Sequence, residues 1–115
     1  MSADIDNIQL SDWIYRYILE NGPCKTSKLR NECDVSAKTV RDCCEMHSGL
    51  TSLKVRRCNI WLTPEQILWY EEDILGCIEH GIDNPKDIVK ALGSNAFQRD
   101  VLTAVIEQMD AEVIA

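Results

Sequence analysis

Nothing in this sequence reads as a membrane span, because no stretch of roughly 18 or more apolar residues occurs in it. The first residues, Met1, Ser2, Ala3 and Asp4, carry no apolar signal core either. The expectation is a soluble, cytoplasmic chain with no membrane partner. Also missing are the phosphate loop, the metalloprotease helix and the glycine-rich dinucleotide motif. No acid/base or nucleophile constellation stands in their place, so the chain is expected to be no enzyme and to need no cofactor. A length of 115 residues can bury one ordinary core or two very small ones. That excludes a catalytic domain with a deep cleft beside a separate binding domain.

Cysteine, by contrast, is plentiful: Cys24, Cys33, Cys43, Cys44, Cys58 and Cys77. Without a secretion signal they are expected to be reduced, several of them packing as small apolar residues. Cys43-Cys44-Glu45-Met46-His47, with Cys33 and Cys58 elsewhere, raises the question of zinc. Zinc fingers use pairs separated by two to four residues, whereas adjacent cysteines on a helix point about 100° apart. Core cysteines are the better account, and no metal is expected.

Charge is unevenly placed. The net charge is −7, yet residues 1–60 hold nine Lys/Arg against eight Asp/Glu, while 61–115 hold three against eleven. Within 24–58 the balance is eight basic to four acidic. A local basic surface therefore sits on an acidic chain, the footprint of a module that docks on a polyanion.

Periodicity divides the chain into six helical segments and a hairpin. Ser11 is a candidate N-cap for a first helix at about 12–20, with Trp13, Ile14, Tyr17 and Ile18 at helical spacing. Asn21-Gly22-Pro23 stops it, and the leader before Ser11 lacks strong periodicity. Thr26 caps a short second helix with Leu29 and Cys33 inward. Ser36 caps a third, with Val40, Cys44 and His47 on one stripe and Gly49 as a left-handed end.

Leu50 to Arg57 and Ile60 to Leu62 read as strands about a turn at Arg57-Cys58-Asn59. Thr63-Pro64-Glu65-Gln66 is a capping box with proline at the first helical position. The helix it opens is expected to turn Ile67, Leu68, Ile74, Leu75 and Ile78 inward and to end at His80-Gly81. Trp61, Trp69 and Tyr70 at this boundary suggest an aromatic cluster joining hairpin to helix. Asn84-Pro85 opens a short helix closed by Gly93, and Asn95 with Gln98 opens the last.

The segment Thr26 to Leu50 resembles the helix-turn-helix of bacterial and phage winged-helix regulators. The resemblance lies in Leu29, Val35-Ser36, Thr39-Val40, Cys44 and Gly49-Leu50, with Asp34 at a turn position where that family usually has glycine. It implies a mainly α fold with a small β-hairpin: a winged helix-turn-helix over 1–63, then an acidic three-helix segment over 64–115. It also implies a small transcriptional regulator or phage-type accessory protein that binds double-stranded DNA as a dimer. In that family the third helix enters the major groove and the wing touches the neighbouring backbone. Carried over, Ser36 and Thr39 would meet phosphate, Ala37, Lys38, Arg41 and Asp42 would face bases, and Lys54, Arg56 and Arg57 would sit on the wing. Lys28 and Arg30 add charge from the second helix. Asp42 and Glu45 either accept from cytosine or mark a face that does not touch DNA.

The second half repeats the cadence of long, short and third helix and is helix-turn-helix-like, but its acidity would repel a phosphate backbone. In the last helix, Leu102, Ile106, Met109 and Val113 form an apolar stripe beside Phe97, Val101 and Val105. That stripe is either a partner or dimer interface or one side of a buried helix. The alternative function is a protein-binding inhibitor or adaptor on a winged-helix scaffold, its acidic half engaging another protein, with imitation of DNA charge as one route.

Overall fold

The computed structural model describes the backbone of residues 3–114 and the side chains of residues 7–110. Among these the chain is mainly helical, with α1 (Ala3–Asn21), β1 (Cys24–Lys25), α2 (Thr26–Cys33), α3 (Ala37–Met46), β2 (Thr51–Val55), β3 (Cys58–Leu62), α4 (Pro64–Glu79), α5 (Pro85–Leu92) and α6 (Ala96–Ile114). It divides into two compact units, Met1–Gln66 and Ile67–Ala115.

In the first unit, α1 is longer at its start than periodicity indicates. Ser11 lies inside the helix rather than at its cap, and its buried hydroxyl donates to the Cys43 carbonyl at 2.9 Å. A serine that reads as a helix start is therefore a bolt between α1 and α3. Ile14 and Ile18 turn inward and meet Leu29, Val40, Cys43, Cys44, Cys24 and Trp61 in one core. Each such aliphatic contributes about 1.5–3 kcal/mol on leaving water. The helix ends at Gly22, whose φ of 89° suits only glycine at low cost.

α2 and α3 are joined by a tight turn in which Asp34 takes the left-handed conformation (φ 55°) and its N–H reaches the Arg30 carbonyl at 2.9 Å. Ser36 caps α3 as its position predicts, its Oγ accepting from the Thr39 N–H at 3.1 Å. α3 ends at Met46 with an extended His47. Gly49 is not left-handed; it is small because a Cβ there would lie 2.7 Å from a ring carbon of Tyr15. Tyr15 stacks on His47 at 4.3 Å, and His47 Nδ1 accepts from the Gly49 N–H at 3.0 Å. With Nδ1 accepting, Nε2 carries the proton that faces Asp12, 3.3 Å away.

The sheet has three antiparallel strands in the order β1-β3-β2. The hairpin turn is Arg56-Arg57 rather than 57–59: Val55 pairs with Cys58, and Arg56 has a φ of 58°. β1 is too short to carry a period of two and escapes sequence reading; it pairs Cys24 with Trp61 and Lys25 with Ile60. Trp61 is buried, and its indole N–H donates to Thr26 Oγ1 at 2.9 Å. Thr26 thus serves the tryptophan instead of capping α2, whose N-cap is Lys25.

The capping box closes in both directions, with Thr63 N–H to Gln66 Oε1 at 3.0 Å and Gln66 N–H to Thr63 Oγ1 at 3.1 Å. The remaining Gln66 amide N–H reaches the Ile18 carbonyl at 2.9 Å, so α4 starts fastened to α1.

In the second unit, α4 ends at Gly81 (φ 90°), where Ile82 N–H bonds the Cys77 carbonyl and Gly81 N–H the Ile78 carbonyl. Of the α4 residues expected inside, Ile67 and Ile74 are buried, but Leu68, Leu75 and Ile78 are exposed, as is Trp69. Asn84 caps α5 through Lys86 N–H, and Asn95 caps α6 through Gln98 N–H. α5 packs on α6, and the Tyr70 hydroxyl donates to Gln98 Oε1 at 2.8 Å. Leu102 and Ile106 are buried with Val101, Ala104 and Val105, so the stripe expected as an interface is core at these two positions. Met109 is half-buried, and the Val113 side chain lies outside the described residues. Among the described residues no helix is long and apolar enough to cross a membrane.

Candidate nucleic-acid interface

Strand register decides which side chains look toward α3. Asn59 and Lys54 are directly paired, and Asn59 shares a strand face with Trp61, two residues on. Trp61 fills the core end of that face. Lys54 and Asn59 continue it outward, beside the exposed side of α3. On α3 the positions that answer are Ala37 and Arg41, one helical turn apart.

The result is a groove of about 430 Å³ with three walls. The start of α2 contributes Lys25, Thr26, Ser27 and Arg30; α3 contributes Ala37 and Arg41; the hairpin contributes Lys54, Arg57, Cys58 and Asn59. Five of these ten are cationic and none is acidic, although the chain as a whole carries −7. Arg30, Arg41, Lys54 and Arg57 have no ion-pair partner among the described residues.

The remaining sequence-predicted residues lie elsewhere. Lys28 pairs with Glu32 at 3.6 Å, and Lys38 with Asp42 at 3.4 Å, both one turn along the same helix. The Lys38–Asp42 row is rotated about 100° from the Ala37–Arg41 row. Asp42 and Glu45 are exposed and do not line the groove: Asp42 belongs to the Lys38 row, and Glu45 lies one turn beyond Arg41 on the groove row, past the groove's lining. Ser36 and Thr39 bond each other at 2.9 Å at the head of α3. Arg56 sits at the hairpin tip, exposed and outside the groove wall. Sequence reasoning missed Lys25, Thr26, Ser27, Cys58 and Asn59. The signal for the first three was β1, whose pairing with β3 draws the start of α2 against the hairpin.

The thiols near this site are held protonated. Burial pushes Cys44 up to about 12, with its neighbouring thiols and Glu45 adding to the effect. Burial likewise pushes Cys24 up to about 11, and raises Cys33 and Cys43. These side chains act as small apolar packing groups, not nucleophiles, at neutral pH. Cys58 is the exposed one. Among the described residues no group of three or more His, Cys, Asp or Glu is placed to hold a metal ion.

The chain matches no protein-family model, and neither a curated protein nor a solved structure is similar to it.

Proposed function

We propose that the first unit is a winged helix-turn-helix that binds double-stranded DNA, with α3 entering the major groove and the β2–β3 hairpin as the wing. The observation that carries this reading is the groove itself: cations from two helices and a hairpin converge there, and no carboxylate lines it. Such a surface releases counterions from a phosphate backbone. Arg41 and Asn59 are the base readers, since both side-chain types present donors to base edges. Lys25, Arg30, Lys54 and Arg57 are the backbone contacts. No aromatic side chain lines the groove, which favours a duplex over a single strand read by base stacking. The role that fits is a small DNA-binding regulator, with the acidic second unit as its protein-interaction or dimerisation part.

The test is fluorescence anisotropy of a labelled mixed-sequence duplex titrated with the full chain at increasing potassium chloride. Affinity is expected to fall linearly on logarithmic axes with a slope of several ions. The triple variant Arg41→Ala, Lys54→Ala, Arg57→Ala is expected to lose most of it. Absence of duplex binding at low salt, or equal binding by the triple variant, overturns the reading and leaves the protein-docking scaffold in its place.

A further inference from the structure

Helix α4 carries a second surface, and its case does not depend on DNA binding. Leu68, Leu75 and Ile78 are 54, 48 and 43 % exposed, while Ile67 and Ile74 take the buried side of the same helix. Spacings of seven and then three residues are those of successive a, a and d positions in a heptad, so the three side chains form one strip. Glu72 and Glu79 lie one turn after Leu68 and Leu75 and flank the strip on its open side, while Glu71, three residues after Leu68 and four before Leu75, stands at the intervening d position within it. The charged residues of α4 are Glu65, Glu71, Glu72, Asp73 and Glu79; it contains no lysine or arginine. None of these carboxylates has a cationic partner among the described residues.

An apolar strip with an acidic edge and a carboxylate within its seam selects its occupant. A second copy of α4 would add another Glu71 carboxylate to the same seam and more acidic edges beside it, which destabilises a helix pair. A helix with aliphatic residues in the seam and lysine or arginine beside it satisfies both the strip and its flanks. We infer that α4 docks a basic amphipathic helix of a partner protein through Leu68, Leu75 and Ile78, with Glu72 and Glu79 setting the choice by charge.

The probe is a fluorescein-labelled designed helix with leucine at its a and d positions and lysine at e and g, compared with the same helix carrying glutamate at e and g. The full-length protein is expected to bind the lysine helix, more weakly as salt rises, and to ignore the glutamate helix. Leu75→Ser with Ile78→Ser is expected to weaken binding roughly tenfold or more. Glu72→Gln with Glu79→Gln is expected to weaken it and flatten its salt dependence. These side chains are exposed, so circular dichroism and melting should stay native, and the glutamine pair keeps the test decisive if the serine pair melts early. Duplex binding by the same variants should not change, which separates failure here from failure of the DNA reading. No binding of the lysine helix, equal binding of both helices, or unchanged affinity in the serine and glutamine pairs overturns the inference. So does a homodimer in sedimentation equilibrium that Leu75→Ser dissociates.

Discussion

The indole N–H of Trp61 donates to the hydroxyl of Thr26 across 2.9 Å, fastening the middle strand of the sheet to the first turn of α2. The two residues are 35 positions apart, and the bond is part-buried. One wall of the basic groove begins at Lys25 and the facing wall at Asn59, and this bond joins the two walls alongside the pairing of β1 with β3.

Replacing Thr26 with valine keeps its shape and removes the acceptor. The buried indole N–H then has no partner, and an unfolding midpoint in urea should report a loss of about 1–3 kcal/mol. Thr26→Ser should cost less, because the acceptor remains. If the valine variant is as stable as the parent, the bond does not hold the hairpin to α2.

Gln66 offers a sharper case. A capping box accepts glutamate or glutamine at this place, but here the side-chain amide nitrogen of Gln66 also donates to the Ile18 carbonyl in a fully buried setting. Gln66→Glu puts a carboxylate oxygen against that carbonyl, and at pH 7 should destabilise the protein by about 1–3 kcal/mol or more. Burial raises the folded-state pKa of the introduced acid above its unfolded value of about 4.3. The variant therefore approaches parental stability below that pH, where the protonated acid can donate to Ile18, and loses it as pH rises. Urea melts of both proteins at pH 4 and pH 7 measure the crossing.

What was legible in the sequence was local. The Ser36, Asn84 and Asn95 caps, the Thr63–Gln66 box and the Asp34 turn all concern groups within a few residues of each other, and short-range hydrogen bonding decides them. Ser11 looked like a cap by the same rules, but its partner is Cys43, 32 residues away, which no local pattern encodes. Periodicity found the apolar positions of α4 and α6 without telling which stripe has a neighbour. Leu68 and Leu75 read as core and are exposed, while Leu102 and Ile106, which read equally as an interface or as one side of a buried helix, are buried. The groove was legible as charge but not as shape, because β1 has only two residues and the hairpin turn is two residues of arginine.

Thiol burial predicts an alkaline limit on the first unit. Cys24 and Cys44 ionise at about 11 and 12 when folded, against an ordinary 9.0, so the folded state holds their protons longer than the unfolded chain. Their contribution is complete below pH 9 and is lost as pH climbs through 11 to 12. Over that window each thiol costs about 1.4 kcal/mol of stability per pH unit until its folded pKa is passed. Cys44→Ala should flatten the decline of the melting temperature between pH 9 and pH 11, even if it lowers the melting temperature at pH 7. A parallel decline in parent and variant would show that the thiol is not responsible. At pH 7.5 a thiol reagent should label the exposed Cys58 first, and the buried Cys24, Cys43 and Cys44 only as the protein opens.

The two cationic rows of α3 separate the groove from the bare sequence pattern. Arg41 lines the groove without a partner, whereas Lys38 points along the next row and pairs with Asp42 at 3.4 Å on an exposed surface. An exposed pair of this kind is worth only about 0.3–0.5 kcal/mol, so removing either member leaves the fold intact. Arg41→Ala should reduce duplex affinity by about 1–3 kcal/mol and relax base preference, and Lys54→Ala should lower the salt slope by about one ion. Lys38→Ala should change affinity little, and Asp42→Ala should leave it unchanged or raise it slightly by removing a negative charge near the phosphates. Were Lys38→Ala as damaging as Arg41→Ala, the contacting face of α3 would be the Lys38–Asp42 row, and the cations of the hairpin would no longer share a surface with it.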